Sequence, residues 1–235
     1  MQNEFMDAIS KALTTKNSEK LKAIYKKVPN GKCAGCTACC SESVNISFLE
    51  FSNIVKNGLL KLSGSQLEAL KKRVISFYLL EWVKPQSCPY LDSDNRCLIY
   101  DVRPLPCRVF GTKTREAYEY NYKRIQRQNI LAAKHIEMTY GTKVPNRVVL
   151  RKIDFCEAFI PERTLNKEAA DELSSRLINM DGALYFEGLI DEDSMNGDLV
   201  NWTLDWFLGL ETDFTIITKE WLYELKKDCL KTIQR

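Results

Sequence analysis

Apolar positions along this chain recur mostly at helical spacing. Phe5, Ile9 and Leu13 lie about one turn apart, and after a polar break at 14–18 the pattern resumes with Leu21, Ile24 and Tyr25. Two short helices leading into Pro29-Asn30-Gly31 are predicted. Val44-Asn45-Ile46 alternates as a short strand does. Ser47-Phe48-Leu49-Glu50 reads as a capping box, and the helix it opens should end near Asn57-Gly58. Ser65-Gln66-Leu67-Glu68 reads as a second box. Leu67, Leu70, Val74 and Phe77 give its helix an apolar face, and Pro85 stops it. A long helix is predicted over 115–140, with Tyr118, Tyr122, Ile125, Ala132, Ile136 and Tyr140 roughly on one face. Val148-Val149-Leu150 reads as a strand or a core run, and 165–180 as another helix. An acidic loop runs from Asp191-Glu192-Asp193 to Asn196-Gly197. Two last helices carry Trp202 and Trp206, then Trp221, Leu222, Leu225 and Cys229. Helical patterning outweighs strand patterning, so the expected class is mainly α, with one short β-hairpin at most. A domain over 1–160 and a helical appendage over 161–235 packed on it are the expected units.

Periodicity fails over 86–111, where Pro89, Pro104 and Pro106 are closely spaced. A loop this long inside a compact domain needs something to hold it. The cysteines on and around it are the natural candidates. Cys33-Ala34-Gly35-Cys36-Thr37-Ala38-Cys39-Cys40 holds four thiols in eight residues, and Cys88, Cys97, Cys107 and Cys156 follow. The predicted fold is therefore a set of helices around an irregular, metal-organised, cysteine-rich core.

Composition narrows the setting. With 235 residues, 45% hydrophobic and 28% charged, the chain is an ordinary globular one. A net charge of +3 is too small to argue for nucleic acid or anionic lipid as a partner. No apolar run approaches the roughly 20 residues that cross a bilayer. The N-terminal stretch lacks the basic and apolar regions of a signal peptide. The expected location is cytoplasmic. In a reducing compartment dense cysteine points to metal or redox chemistry rather than structural disulfides, and nine cysteines leave one unpaired in any all-disulfide scheme.

Thiolate is a soft ligand that suits zinc, cuprous copper and iron–sulfur clusters. Cys33, Cys36 and Cys39 form a three-ligand run of the kind that ferredoxin loops use for three corners of a cluster, with a fourth ligand from elsewhere; Cys88, followed by Pro89, matches such a remote ligand. An iron–sulfur cluster is favoured over zinc on that ground. Cys39 and Cys40 are neighbours, and adjacent side chains generally diverge, so one should serve the centre of Cys33 and Cys36 and the other a second centre or a buried thiol. Setting aside Cys229, whose default role is a small apolar core residue, eight candidates suit two tetrathiolate sites or one site with spare thiols. Arg103 and Arg108 flank Cys107, and their guanidinium groups would stabilise an anionic cluster; the plainer reading is that Arg103 caps a helix end or pairs with Asp101.

Other features point to structure. His135, the one histidine, sits among Lys134 and Glu137 on a solvent face, so histidine-based zinc hydrolase sites are hard to build. The lysines, arginines and tyrosines of 113–134 read as a solvated helix face rather than a nucleic-acid platform. The acidic loop lacks EF-hand spacing. There is no phosphate-cradling loop, no Gly-x-Ser-x-Gly, and no Cys-x-x-x-Cys-x-x-Cys.

Cys33-x-x-Cys36-x-x-Cys39-Cys40, Cys88-Pro89-Tyr90-Leu91, Cys97-Leu98-Ile99-Tyr100 and Arg103-Pro104-x-x-Cys107-Arg108-x-Phe110 closely resemble the YkgJ-type CxxCxxCC cysteine-cluster family, described as zinc- or iron-chelating. The resemblance spans about 32–111, with Cys156 as the late cysteine of the pattern. Some relatives are named flagellin lysine N-methylases that use an iron–sulfur cluster. The resemblance thus implies a metal centre and, as an alternative, a protein-modifying enzyme with a protein substrate and S-adenosylmethionine. A third alternative is a zinc-stabilised or redox-sensing interaction module.

Overall fold

The structure, a computed structural model, describes residues 2–41, 43–192, 195, 197–210 and 218–232. Of the acidic loop expected at 191–197, Asp193, Ser194 and Asn196 lie outside the described residues. Among the described residues ten α-helices carry the fold. They are α1 (Gln2–Ala12), α2 (Thr15–Tyr25), α3 (Phe48–Asn57), α4 (Gly64–Leu80), α5 (Leu105–Val109), α6 (Arg115–Tyr140), α7 (Asn146–Val149), α8 (Lys167–Phe186), α9 (Leu199–Leu210) and α10 (Lys219–Lys231). Four two-residue strands, β1 (Gly31–Lys32), β2 (Asn45–Ile46), β3 (Ile160–Pro161) and β4 (Gly197–Asp198), complete it. They pair as β1 with β3 and β2 with β4, both antiparallel. Each pair joins segments far apart in sequence, so neither is a local hairpin.

Local chemistry explains most boundaries. The Ser47–Glu50 box forms as expected: Ser47 Oγ accepts from the Glu50 N–H and Glu50 Oε2 accepts from the Ser47 N–H, each at 3.2 Å. The helix it opens ends at Asn57 with Gly58 as cap. The second box forms two residues before its expected place. Ser63 Oγ accepts from Gln66 N–H and Gln66 Oε1 from Ser63 N–H, because Ser63 in extended backbone can reach the first free N–H groups. α4 then stops at Leu80, ahead of Pro85. Val148-Val149-Leu150 is not a strand: Val149 ends a single helical turn and enters the smaller core with Val148 packed against it, while Leu150 is exposed. α8 runs through Gly182 to Phe186, six residues past the expected end, with Asp181 and Leu184 buried in the core.

One large core gathers α1, α2, α3, α4, α8 and α9 around Phe48, Phe51, Leu70, Leu184 and Trp206. Phe5, Phe48, Phe51 and Trp202 meet there with ring centroids 5.5–6.0 Å apart. Asp181 of α8 accepts from the Phe48 and Leu49 N–H groups, satisfying the start of α3 inside that core. Side chains from both sides of residue 160 enter it. A smaller core joins Ile136, Val144, Val149 and Leu230. The buried face of α10 is Leu222, Lys226 and Leu230, not Trp221, Leu222, Leu225 and Cys229: Trp221 is exposed and Cys229 half-buried. Lys226 can enter because Glu81 accepts from it at 2.7 Å and its ammonium lies 4.0 Å from the Tyr78 ring centre. No helix among the described residues is long and apolar enough to cross a membrane.

Candidate metal centre

The first cysteine segment leaves β1 as irregular chain. Its turns come from two residues in left-handed backbone, Gly35 (φ 68°) and Thr37 (φ 56°). A β-branched residue adopts that conformation only under constraint, and here it curls the chain so that the Cys40 N–H donates to Thr37 O at 2.8 Å. The Gly35 N–H also points at Cys33 Sγ, 3.5 Å away.

The second segment is stitched to the first. The Cys88 N–H donates to Cys40 O at 2.8 Å. Arg151 Nη1 donates to Ser41 O (2.6 Å) and Gln86 O (3.0 Å), so one guanidinium clips both cysteine segments together. The loop beyond Cys88 is fastened to the large core by Tyr90, whose buried hydroxyl is hydrogen-bonded to Thr203 of α9, and by Arg73 Nε donating to Pro89 O at 2.7 Å. Leu91 and Cys97 bridge in antiparallel register, returning Cys97 towards Cys88. Cys107 lies on α5, and the free Leu105 N–H at the start of that helix donates to buried Glu50 at 2.6 Å.

The third segment is placed by packing. The Phe159 side chain packs against Gly31 with its ring tip and against Gly111 with its root; a Cβ on either would come 2.5 Å from it. Only glycine permits this approach, which carries Cys156 to the mouth of the first segment.

All nine cysteines are free thiols. Among the described residues no three His, Cys, Asp or Glu side chains converge closely enough to enclose a metal ion. The thiols nevertheless fall into two electrostatic neighbourhoods. Cys39, Cys88, Cys97 and Cys107 sense one another: burial pushes the Cys88 thiol up to about 12 and raises those of Cys97 and Cys107, and the neighbouring sulfurs add to it. Cys107 keeps exposed surface while protein crowds it strongly enough to penalise its charge. The Cys39 thiol is raised first by a hydrogen bond with Cys40, then by burial. Cys156 forms the second neighbourhood with Cys36 and Cys39, its thiol raised mainly by burial. Cys33 is exposed.

Arg103 stands among the first group. It lowers the cost of charging Cys97, Cys39 and Cys107. Its guanidinium lies 4.0 Å over Tyr100, and its buried Nε–H has no hydrogen-bond partner. A buried donor left unpaired is costly; a metal–thiolate centre would supply the anionic acceptor. Soft donors crowded together with an orphaned cation thus fit a thiolate-bound metal. Arg108 has other work: it donates to Arg103 O and Asp101 O, both at 2.6 Å, and stacks 4.1 Å over Tyr25.

A cavity of about 700 Å³ opens beside the thiols. Cys36, Cys39 and Cys156 line one end, and Phe110, Tyr118, Tyr122 and Phe155 form an aromatic wall. Arg115 pairs with Glu157 at 2.8 Å and lies 4.6 Å over Phe155 at its rim. His135 is exposed on α6 and lines none of this, and Cys229 sits on α10. Sequence reading missed Glu50, Arg151 and Phe159 as supports of the centre. Glu50 was visible only as a capping residue, and the other two carried no local signal.

Residues 32–131 match the family model CxxCxxCC, "Putative zinc- or iron-chelating domain". The match takes in every cysteine from Cys33 to Cys107 and about the first two thirds of α6, twenty residues past the expected end; Cys156 lies beyond it. No curated protein and no solved structure matches the chain.

Proposed function

From the match of residues 32–131 to the CxxCxxCC model, we propose that this protein holds an iron–sulfur cluster through Cys39, Cys88, Cys97 and Cys107. Cys33, Cys36, Cys40 and Cys156 are the remaining sulfur donors, for a second centre or for exchange with the first. The observation that carries this reading is the buried, unpartnered Arg103 Nε among those thiols. Such a group, when bound, supplies one-electron transfer and a fixed cross-link between loops. The residues of the chain do the rest. Arg103 offsets the negative charge of the sulfurs, the Cys40–Cys88 backbone bond and Arg151 hold the segments in reach, and the large core shields one side from water. The thiols must release their protons to bind, so uptake is proton-coupled and strengthens with pH. Zinc is the competing occupant of the same sulfurs. Iron, zinc and sulfide analysis after anaerobic purification, with an absorption spectrum, tests the reading: broad absorption near 400 nm supports the cluster, and a colourless zinc-loaded protein replaces it with a structural zinc site.

The cavity favours a second reading, a cluster-dependent protein-modifying enzyme such as a lysine N-methylase. Three thiols open onto a space large enough for a small molecule or an inserted side chain, whereas a purely structural site is closed. Titration calorimetry of S-adenosylmethionine into the metal-loaded protein tests it; absence of binding heat removes this reading and leaves the first intact.

A further inference from the structure

We propose that Glu50 is the positioning residue of the centre, setting α5 and hence Cys107 in place, and that Tyr25, outside the matched domain, locks it there. The inference rests on the metal-binding reading above. Glu50 is a carboxylate 1% exposed in the large core, 57 residues before Cys107 in sequence. Its Oε2 is used by the α3 cap through Ser47. Its Oε1 faces elsewhere: it accepts from Leu105 N–H at 2.6 Å and from Tyr25 O–H at 2.8 Å. Leu105 opens the turn that bears Cys107.

The circuit closes on itself. Tyr25 lies under the Arg108 guanidinium, 4.1 Å from its ring centre, and Arg108 holds the Arg103 and Asp101 carbonyls. One buried acid therefore fixes both ends of the Arg103–Arg108 stretch, through Leu105 N–H directly and through Tyr25 and Arg108 indirectly. A cap alone needs a single oxygen; the second oxygen, aimed across the core at α5, is unexplained by helix capping. Because Tyr25 belongs to α2, the N-terminal helices are part of the metal site's support rather than a separate addition.

Glu50→Gln keeps the size but replaces one acceptor oxygen with an amide donor, so the Leu105 and Ser47 sides cannot both be satisfied. Tyr25→Phe removes only the hydroxyl and keeps the stacking surface. Asp181→Asn is the control: it also alters a buried carboxylate that caps α3, but through the Phe48 and Leu49 N–H groups rather than the Leu105 N–H that Glu50 holds. Two readouts are taken at a temperature where each variant is folded by circular dichroism. The first is Cd(II) affinity, from the thiolate charge-transfer absorbance in competition with a chelator. The second is the rate of Cys107 alkylation by iodoacetamide in metal-free protein, mapped by mass spectrometry. Glu50→Gln should weaken Cd(II) binding about tenfold or more, in line with the effect of removing outer supports of ligands, and change the Cys107 rate several-fold. Tyr25→Phe should do the same to a smaller degree, and Asp181→Asn should lower the thermal midpoint while moving neither. Unchanged affinity and unchanged Cys107 labelling in folded Glu50→Gln, or equal shifts in Asp181→Asn, overturn the proposal. Should the unaltered protein take up no Cd(II), the metal reading fails, while the labelling rates still decide whether Glu50 places Cys107. Should Glu50→Gln not fold, Tyr25→Phe decides on the same two readouts.

Discussion

Individual side chains here are governed by what surrounds their polar ends. Lys113 precedes α6 with its ammonium half-buried, and burial, with Arg124 nearby, lowers its pKa to about 8. The unfolded side chain holds its proton to about 10.4. Between these values the unfolded state binds more protons, so this residue makes stability rise with pH across the window. Lys113→Met should therefore stabilise the protein at pH 7 by up to about 3 kcal/mol, the full shift converted at 1.36 kcal/mol per unit. The gain should vanish above pH 10.5, as read from urea denaturation at both values. Gly111 shows the opposite dependence on space. Gly111→Ala would press a methyl group into the root of the Phe159 side chain. We expect a loss of about 1–3 kcal/mol and faster alkylation of Cys156, whose segment that ring holds down. An unchanged Cys156 rate would mean the ring does not position it.

Elements are joined by a few buried charges. α10 docks on α4 through Lys226 and Glu81, whose carboxyl is pushed up by burial and drawn back by the ammonium. Breaking such a pair from one side leaves a charge stranded, at a cost of about 3–5 kcal/mol when burial is complete. These side chains are 11% and 21% exposed, so Lys226→Met should cost somewhat less, about 2–3 kcal/mol. The double change with Glu81→Leu should recover most of it, because an apolar pair of similar volume needs no solvation. Thermal melts of the three variants check this; an additive double variant would show that the pair does not interact. The same element-level view explains the boundaries misread from sequence. Ser65 and Glu68 have the letters of a capping box, but Ser63 with Gln66 has them too and captures the first free N–H groups. Only hydrogen bonds in place distinguish overlapping candidates.

At the scale of the molecule, an apolar helical body carries irregular cysteine segments on one side. The two should respond differently to metal loss. Removing metal with a chelator should leave the helical circular dichroism nearly intact, since the large core is built from α1, α2, α3, α4, α8 and α9. Limited proteolysis should then become fast within 33–40 and 86–98, where metal would replace absent regular structure. Equal protease resistance with and without metal would refute a structural role for the ion. Much of this body was legible from sequence: the spacing of Phe5, Ile9 and Leu13, the Ser47–Glu50 box and the span of α6 are local matters, decided within a turn or two by apolar periodicity and free N–H groups. The order and flanks of the cysteines likewise carried the resemblance over 32–111 to a zinc- or iron-chelating domain, whose model matches residues 32–131. Sequence could not say that Cys156 turns to the cavity, that Arg103 rather than Arg108 stands among the thiols, or that Glu50 reaches across to α5. Those depend on contacts between residues tens of positions apart. Packing of the whole chain brings such partners together, and no local pattern encodes the distance between them.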